Sequence, residues 1–423
     1  MLKLCGGGCV RVFPSGFLWG VATAGHQIEG KNFFSDWYAW EKLGKVRNND
    51  TSEIACGSWD NLERDIKALK ELGVKAYRYS IEWARVEPRI NKFDDESLSR
   101  YRNFTIRLVE EGIKPIVTLH HFVNPLWFSE LGGWENRENL RYFKRYVEKV
   151  ISSLGSFVPI WITVNEPNVY SIQSYFKGEW PPEIKDMGRA MQVLSNFIFA
   201  HNIAYGIIKE KYPASMVGIA YNFMPFKPAR KYNLFDRIMA SRLDHIYNNA
   251  FIDSIIKGRL LKPLGKGESA ERIRGNLDFV GVNYYTRIFV KNASPEPEFP
   301  EPVTEKTDMG YEFYPEGLGE VVLKYYRRYK LPIIVTENGI ADATDEKRWR
   351  YIKTALKSLH QAIEKGARVV GYMYWSLMDN FEWKEGYSMK FGLYETNFQD
   401  LSLEPRKSAE EYSKLIKENS IED

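Results

Sequence analysis

The chain has 423 residues, of which 44% are hydrophobic and 27% are charged, which is the balance of an ordinary folded, water-soluble protein. Its 59 basic and 55 acidic residues leave a net charge of only +4 with no basic block, which argues against nucleic-acid binding. The aromatic fraction of 15% is high and is typical of a large core or of a cleft that binds flat apolar surfaces, such as those of sugar rings.

The cysteines and the N-terminus indicate a reducing compartment. Only three cysteines are present, without a CxxC pair or histidines at metal-ligand spacing, so we expect neither a disulfide framework nor a zinc site. Residues 1–10 are too short and glycine-rich for a signal peptide, and no apolar run reaches the roughly 20 residues of a membrane helix. These features predict a cytoplasmic protein and leave peripheral membrane attachment open. The small number of glutamines, five, favours a thermostable protein.

Segments of strand character alternate with segments of helical periodicity along the whole chain. In the first helix, apolar residues recur at helical spacing up to Leu72, and Gly73 follows where a glycine commonly ends a helix. The predicted strands are 17–23, 74–81, 114–120, 159–164, 217–221, 277–282, 332–336 and 368–375. The predicted helices are 60–72, 98–111, 139–154, 190–211, 236–257, 315–329, 347–366 and 405–417.

Eight strands and eight helices in strict alternation predict an α/β fold, a single (β/α)8 TIM barrel. A doubly wound sheet would need fewer repeats and a phosphate-binding glycine turn, but the glycines 6–8 precede no strand-helix unit. A minimal barrel needs about 250 residues, so the surplus is assigned to long βα loops on the C-terminal face of one domain, 1–423. The Pro/Glu-rich stretch 295–302 is predicted to be an exposed loop.

Two of the predicted strands end in a glutamate. The fourth strand leads into Asn165 and Glu166, and the seventh leads into Glu337, about 170 residues later. A single glutamate after a strand is usually a solvated loop residue. Two such glutamates at the carboxyl ends of parallel strands instead suggest a two-carboxylate active site.

The ends of the other strands carry a consistent set of side chains. In a closed barrel these ends converge on one mouth and form a single concave site. Amides, carboxyls and indoles together suit a neutral polyhydroxylated ligand, because polar groups bind its hydroxyls while tryptophan covers the apolar face of a pyranose. The residues placed at this mouth are Gln27, Arg78, His121, Asn165, Glu166, Asn283, Tyr285, Glu337, Trp375, Glu382 and Trp383.

Four motifs resemble those of glycoside hydrolase family 1, the β-glucosidase and β-galactosidase family. They are Gln27-Ile28-Glu29-Gly30, Thr163-Val164-Asn165-Glu166-Pro167, Val335-Thr336-Glu337-Asn338-Gly339 and the run from Trp375 through Asp379-Asn380-Phe381 to Glu382-Trp383. The resemblance extends from Phe13 to the last helix. It implies exo-acting hydrolysis of terminal non-reducing β-D-glycosyl residues with retention of configuration, of β-glucosidase type, without metal or organic cofactor.

The resemblance also implies individual roles. Glu166 matches the acid/base and Glu337 the nucleophile of the family. The residues that match those holding the non-reducing sugar are Gln27, His121, Asn165, Glu382 and Trp383, with Trp375 as the stacking platform and Phe391 near the 6-position.

A retaining mechanism needs two carboxyls about 5–5.5 Å apart, one ionised and one protonated. Arg78 would stabilise the ionised form of Glu337, and the hydroxyl of Tyr285 could bind the same carboxylate. The negative charge of Glu337 would then raise the pKa of Glu166. We expect Asn165 to bind the sugar 2-hydroxyl, and we group Asn283 with the supporting residues.

Several alternatives stay open at this stage. Arg78 has a structural partner available in Glu82, and His120 with His121 is a potential metal pair, although hydrogen bonding is the favoured interpretation. The family usually has Trp after the strand-three histidine where this chain has Phe122, which leaves the preference among glucose, galactose, mannose and fucose undecided. Core and cleft roles are equally open for Trp127, Trp134, Trp161 and Trp180.

Two other functions compete with a β-glycosidase for unmodified sugars. A 6-phospho-β-glycosidase would use cationic or hydroxyl residues after strand eight, where Lys384, Ser388 and Lys390 occur, but Glu382 would repel the phosphate. A non-catalytic carbohydrate-binding barrel is disfavoured by the presence of both glutamates. The expected partner is a small β-glycoside, and neither the aglycone nor the oligomeric state is readable from the sequence.

Overall fold

Eight parallel strands form a closed barrel in the structure, a computed structural model that describes residues 2–5, 8–292 and 305–422. Each strand pairs with its neighbours in chain order, and the eighth pairs with the first. The α/β barrel prediction is therefore confirmed. The strands are β1 Leu18–Ala22, β2 Ala76–Ser80, β3 Lys114–Thr118, β4 Ile160–Asn165, β5 Met216–Asn222, β6 Phe279–Tyr284, β7 Ile333–Asn338 and β8 Val369–Trp375.

One long helix follows each strand. The fifth differs from the prediction of one continuous helix, because a π-helical turn over His245–Asn249 divides it. The helices are α1 Leu62–Leu72, α2 Asp95–Glu110, α3 Leu140–Leu154, α4 Met187–Lys211, α5 Leu234–Asp244 with Ala250–Lys257, α6 Gly317–Tyr329, α7 Arg348–Glu364 and α8 Lys407–Glu418.

The strands that carry the two glutamates are buried along their whole length, in β4 and in β7 alike. Strands of a parallel barrel are covered by side chains on the inside and by helices on the outside, which is why they are continuous apolar runs. Around them, α1 buries Ile66, Leu69 and Leu72 and ends at Gly73, whose φ of 74° is the left-handed conformation that glycine tolerates best.

Two boundaries differ from the predictions for local reasons. β3 ends at Thr118, two residues before the predicted end, so His120 lies with His121 in the following loop. α4 begins at Met187, three residues before the predicted start, because the side chain of Asp186 caps it by accepting a hydrogen bond from the backbone N–H of Arg189.

Long βα loops surround the C-terminal mouth of the barrel, as predicted. They include residues 23–61 after β1, 166–186 after β4 and 376–406 after β8. At the N-terminus, strands Leu2–Cys5 and Gly8–Val12 form an unpredicted antiparallel sheet with Ser420–Glu422. The predicted loop 295–302 lies outside the described residues. Within the described part of the chain, no helix has the length and apolar character needed to cross a bilayer.

Candidate active site

Glu166 lies directly after β4 in a conformation that its neighbours impose. Its φ is 41°, a left-handed value that is uncommon for a residue with a side chain. The backbone N–H of Glu166 donates to the carbonyl of Ala220 in β5, and Pro167 begins the short helix Pro167–Tyr170. Backbone strain of this kind is typical of functional sites, where it fixes the direction of a side chain.

Glu337 lies in β7 and is held at both carboxylate oxygens. Arg78 donates from Nη1 to Oε1 at 2.5 Å, and the hydroxyl of Tyr285 donates to Oε2 at 2.6 Å. The Arg78 guanidinium is fully buried, so this ion pair is shielded from solvent. Glu82, the alternative partner, accepts instead from Ser80, which shows that Arg78 belongs to the glutamate site.

Among the residues that the structure describes, the donors to Glu166 are neutral amides. Its Oε1 accepts from Asn283 Nδ2 and from Asn222 Nδ2, both at 2.9 Å. Asn222 in turn accepts from the hydroxyl of Tyr247 at 2.9 Å. The sequence analysis missed Asn222 and Tyr247. Asn222 is the last residue of β5, whereas the predicted strand ended at residue 221. Treating residue 222 as a strand end, as was done for the other strands, would have identified it.

A continuous chain of hydrogen bonds joins the two glutamates. Asn283 Nδ2 donates both to Glu166 and to Asn165 Oδ1, and Asn165 Oδ1 also accepts from Arg78 Nη2 at 2.6 Å. Arg78 then reaches Glu337 through Nη1. The predicted supporting residues are thus brought together, and they fix the relative position of the two carboxyls.

The carboxyls differ in their electrostatic surroundings. Burial, and after it the negative charge of Glu337, raises the pKa of Glu166 to about 8. Glu382 has its pKa raised to about 8 by the same two causes in the same order. For His121, burial and the nearby Arg78 charge hold the pKa of the imidazole well below its usual value, so the ring is neutral. A protonated Glu166 beside an arginine-paired Glu337 is the pairing that acid-assisted displacement requires.

A cavity of about 510 Å³ opens over the two carboxyls, which is large enough for a sugar and part of its aglycone. Eight of the predicted residues line it: His121, Glu166, Tyr285, Glu337, Trp375, Glu382, Trp383 and Phe391. The other four lie behind the wall and contact residues that line it: Gln27, Arg78, Asn165 and Asn283.

Aromatic rings form one side of this cavity. The imidazole of His121 lies nearly parallel to Trp375 and to Trp383, with ring centroids 6.0 Å apart in both cases. Trp180 also lines the cavity and contacts Trp383. Trp134 and Trp161 are buried in the core instead, and Trp127 is a partly buried residue that packs against it.

Gln27 and Asn165 are both committed to protein partners. Gln27 Nε2 donates to Glu382 Oε2 at 3.1 Å, while Gln27 Oε1 is buried without a partner among the described residues. Asn165 donates from Nδ2 to His121 Nε2 at 3.1 Å. In this structure Asn165 therefore orients Arg78 and His121 and does not itself line the cavity.

The two adjacent histidines point in different directions. His120 shares a hydrogen bond with Asn124 and packs edge-on against Trp134, away from the cavity that His121 lines. The pair therefore does not converge on one point as metal ligands would. Among the described residues, no group of three or more His, Cys, Asp or Glu side chains is arranged to hold a metal ion.

Asn222 provides a test of this electrostatic arrangement. A hydrogen bond donated to a carboxylate stabilises its ionised form, so replacing Asn222 by alanine should raise the pKa of Glu166 further. We expect the basic limb of the kcat/KM profile to move to higher pH by up to about one pH unit in Asn222→Ala. Tyr232→Phe, on the surface, is the control. An unchanged or lowered basic limb would contradict the proposed link between Asn222 and the titrating acid.

A buried pair of strand-end glutamates, one bound to arginine and the other with a raised pKa, in an aromatic-walled cavity at the mouth of a (β/α)8 barrel is the arrangement expected of a glycoside hydrolase. The chain belongs to glycosyl hydrolase family 1, whose family model matches residues 10–421.

Individual relatives match over nearly their full length. The chain is 35% identical to beta-glucosidase A of Acetivibrio thermocellus, covering 97% of this chain and 99% of that protein. It is 34% identical to beta-glucosidase A of Thermotoga maritima, covering 98% and 100% respectively. Among solved structures, the beta-glycosidase from Pyrococcus horikoshii superposes with a TM-score of 0.91 at 38% identity, covering 98% of this chain and 97% of that one.

Proposed function

We propose that this protein is an exo-acting β-glycosidase of β-glucosidase type that hydrolyses terminal non-reducing β-D-glycosyl residues with retention of configuration. Glu337 is the nucleophile and Glu166 the acid/base. The observation that carries this assignment is the asymmetry of the pair, because Arg78 is hydrogen-bonded to Glu337 while the described donors to Glu166 are two amides. Similarity to the beta-glucosidases of Acetivibrio thermocellus and Thermotoga maritima supports the sugar class.

In the first step, an oxygen of Glu337 attacks the anomeric carbon while Glu166 gives its proton to the departing glycosidic oxygen. A glycosyl-enzyme ester forms on Glu337, and the aglycone leaves as a neutral alcohol. Tyr285 and Arg78 orient the carboxylate for this attack, and the raised pKa of Glu166 keeps the acid protonated at neutral pH.

In the second step the roles reverse. Esterification removes the negative charge of Glu337, and with it the second-largest cause of the raised pKa of Glu166. Glu166 is then a stronger acid, and its ionised form takes a proton from the water that attacks the anomeric carbon. The sugar is released with its original anomeric configuration, and both carboxyls return to their starting states.

Sugar recognition is assigned to the floor and the aromatic wall of the cavity. Glu382 and His121 offer polar atoms to the hydroxyls, and Trp375 offers a flat face to the sugar ring. The unpaired Oε1 of Gln27 is a further acceptor one layer behind. Asn165, Trp383 and Phe391 complete the proposed set, with Asn165 contributing after its contact with His121 opens.

Unmodified glycosides are favoured over 6-phospho-glycosides. A 6-phosphate would need cationic or hydroxyl partners in the cavity, but Ser388 and Lys390 do not line it. Glu382 does line it, and its raised pKa means that it would repel a phosphate mainly above about pH 8. Lys384 does line it, but its ammonium is paired with Glu179. A non-catalytic binding protein does not require two buried glutamates in different electrostatic environments, one paired with arginine and the other bound by amides.

The remaining proposals concern the domain organisation, location, stability and cofactor independence of the protein. We propose a single catalytic domain over residues 1–423 that is cytoplasmic, thermostable and independent of metal and cofactor, with the oligomeric state left open. The closed barrel from β1 to β8 supports the single domain, and similarity to beta-glucosidase A of Acetivibrio thermocellus supports thermostability.

The proposed mechanism is tested by the anomer that forms first. During hydrolysis of an aryl β-glucoside, proton NMR is expected to detect the β-anomer of the free sugar before mutarotation produces the α-anomer. Early appearance of the α-anomer would mean inversion and would remove the role of Glu337 as nucleophile. The same recording in the absence of enzyme gives the mutarotation rate that separates the two outcomes.

A further inference from the structure

The first part of α5 exposes its apolar side chains to solvent and buries an acidic one. The acidic side chain of Asp236 is fully buried, whereas Leu234, Phe235 and Ile238 are 68%, 52% and 42% exposed. Tyr232, just before the helix, is 88% exposed. An amphipathic helix on a globular protein normally turns its apolar side chains inward, so four large hydrophobic side chains facing solvent within seven residues mark an interaction surface.

Specific contacts hold the helix in this orientation. Arg230 donates from Nε and Nη2 to the Asp236 carboxylate at 2.8 Å each, and the backbone N–H of Asn292 donates to the same group at 3.1 Å. Asn233 caps the helix by accepting from the backbone N–H of Asp236 at 3.0 Å. These bonds tie the polar side of the helix to the barrel and leave the apolar side outside.

The exposed face carries positive charge. Lys231, Arg237 and Arg242 are all exposed, and Lys231 Nζ lies 5.6 Å from the centroid of the Tyr232 ring. Arg237 and Arg242 form no ion pair with any residue that the structure describes. The carboxylate of Asp236, which would offset this charge, is turned inward and bound to Arg230. The surface therefore combines protruding apolar groups with cations that are exposed among the described residues.

Exposed hydrophobic side chains are concentrated on the same end of the barrel. Of the fourteen large ones among the described residues, all but Val12 and Val109 lie in the loops after β1, β2, β3 and β5 or at the starts of α4 and α5. These positions lie along one half of the rim of the C-terminal mouth, because strands one to five follow one another around the closed barrel. A planar surface can contact this half of the rim as a whole, and the exposed cations of residues 231–242 favour a surface that is anionic.

We propose that the basic and apolar surface formed by residues 231–242 docks the protein on an anionic phospholipid bilayer. Tyr232, Leu234, Phe235 and Ile238 enter the headgroup region, and the neighbouring cations bind lipid phosphates, the arrangement of a peripheral membrane anchor. A second copy of the chain fits less well, because a two-fold contact would bring like charges together. Docking in this orientation turns the cavity mouth toward the bilayer and gives it access to amphiphilic glycosides. This inference does not depend on the proposed reaction.

Vesicle binding tests the apolar part. The full-length protein is expected to sediment with phosphatidylglycerol vesicles at low salt and to bind phosphatidylcholine vesicles at least about tenfold more weakly. The double variant Leu234→Ser/Phe235→Ser should lose at least about tenfold in affinity for phosphatidylglycerol. Val109→Ser, which removes a 45% exposed apolar side chain at the opposite end of the barrel, is the control and should bind like the wild type.

A charge variant tests the cationic part. In Lys231→Glu/Arg237→Glu, binding to phosphatidylglycerol should fall by at least about tenfold, and the remaining binding should depend less on salt. Absence of wild-type vesicle binding would overturn the proposal, as would equal binding by the wild type and both double variants. A lipid-free dimer that Leu234→Ser/Phe235→Ser converts to a monomer in light scattering, without vesicle binding, would assign the surface to self-association instead.

Discussion

Replacing Glu337 by glycine is expected to abolish β-glycoside hydrolysis, with kcat falling by at least about 10⁴-fold. The variant removes the only carboxylate that Arg78 and Tyr285 both bind, so no group remains to form the glycosyl-enzyme. Activity is measured on an aryl β-glucoside, whose released phenol is followed directly. Glu271→Gly, which removes a solvent-exposed carboxyl on the barrel exterior, is the control and should retain full activity.

Glu337→Gly should couple sugars when an α-glycosyl fluoride is supplied in place of the glycosyl-enzyme. An α-glycosyl fluoride has the configuration of the glycosyl-enzyme, and the space left by the Glu337 side chain admits the fluoride. Glu166 then deprotonates the acceptor hydroxyl, and a β-linked disaccharide accumulates because the enzyme cannot hydrolyse it. Undiminished hydrolysis in Glu337→Gly would show that the nucleophile is another residue. Loss of hydrolysis without coupling, in a folded protein, would mean that Glu166 does not act as the base.

The barrel and most of its site were predictable because both follow a rule of position. Strand-helix alternation fixes a closed parallel sheet, and every strand end then faces the same mouth. Arg78, Tyr285 and Glu337 lie in or directly after three different strands, and their positions at strand ends suffice to predict that they are close together. The resemblance to family motifs then separated the roles of two chemically identical carboxyls.

What escaped prediction depends on contacts between distant segments. Gln27 meets Glu382 across 355 positions of the chain, and no local pattern shows that the amide lies one layer behind the cavity. Asn222 was missed because its strand was predicted to end one residue early. The outward orientation of Leu234 and Phe235 was not predicted either, because the fifth helix was predicted to begin at residue 236, whereas it begins at Leu234.

The acid/base assignment makes the second large prediction. Replacing Glu166 by glutamine should lower kcat/KM for an alkyl β-glucoside by about 10²–10⁴-fold, because the alkoxide must then leave without a proton. A dinitrophenyl β-glucoside needs little assistance, so its first step should be slowed far less. Equal losses for the two leaving groups would contradict the role of Glu166 as proton donor and indicate a general disruption of the site.

The pH profile identifies the titrating group independently. Glu166 must be protonated to act as an acid and its pKa is raised to about 8, so wild-type kcat/KM should fall as the pH rises through that value. Glutamine cannot lose a proton, and the basic limb should therefore be absent from Glu166→Gln. Glu382 requires its own variant, because burial and Glu337 raise its pKa to about 8 as well. If Glu166 is the titrating group, Glu382→Gln should raise KM through weaker sugar binding and keep the basic limb. If the limb is instead lost only in Glu382→Gln, the pH dependence arises from sugar recognition by Glu382.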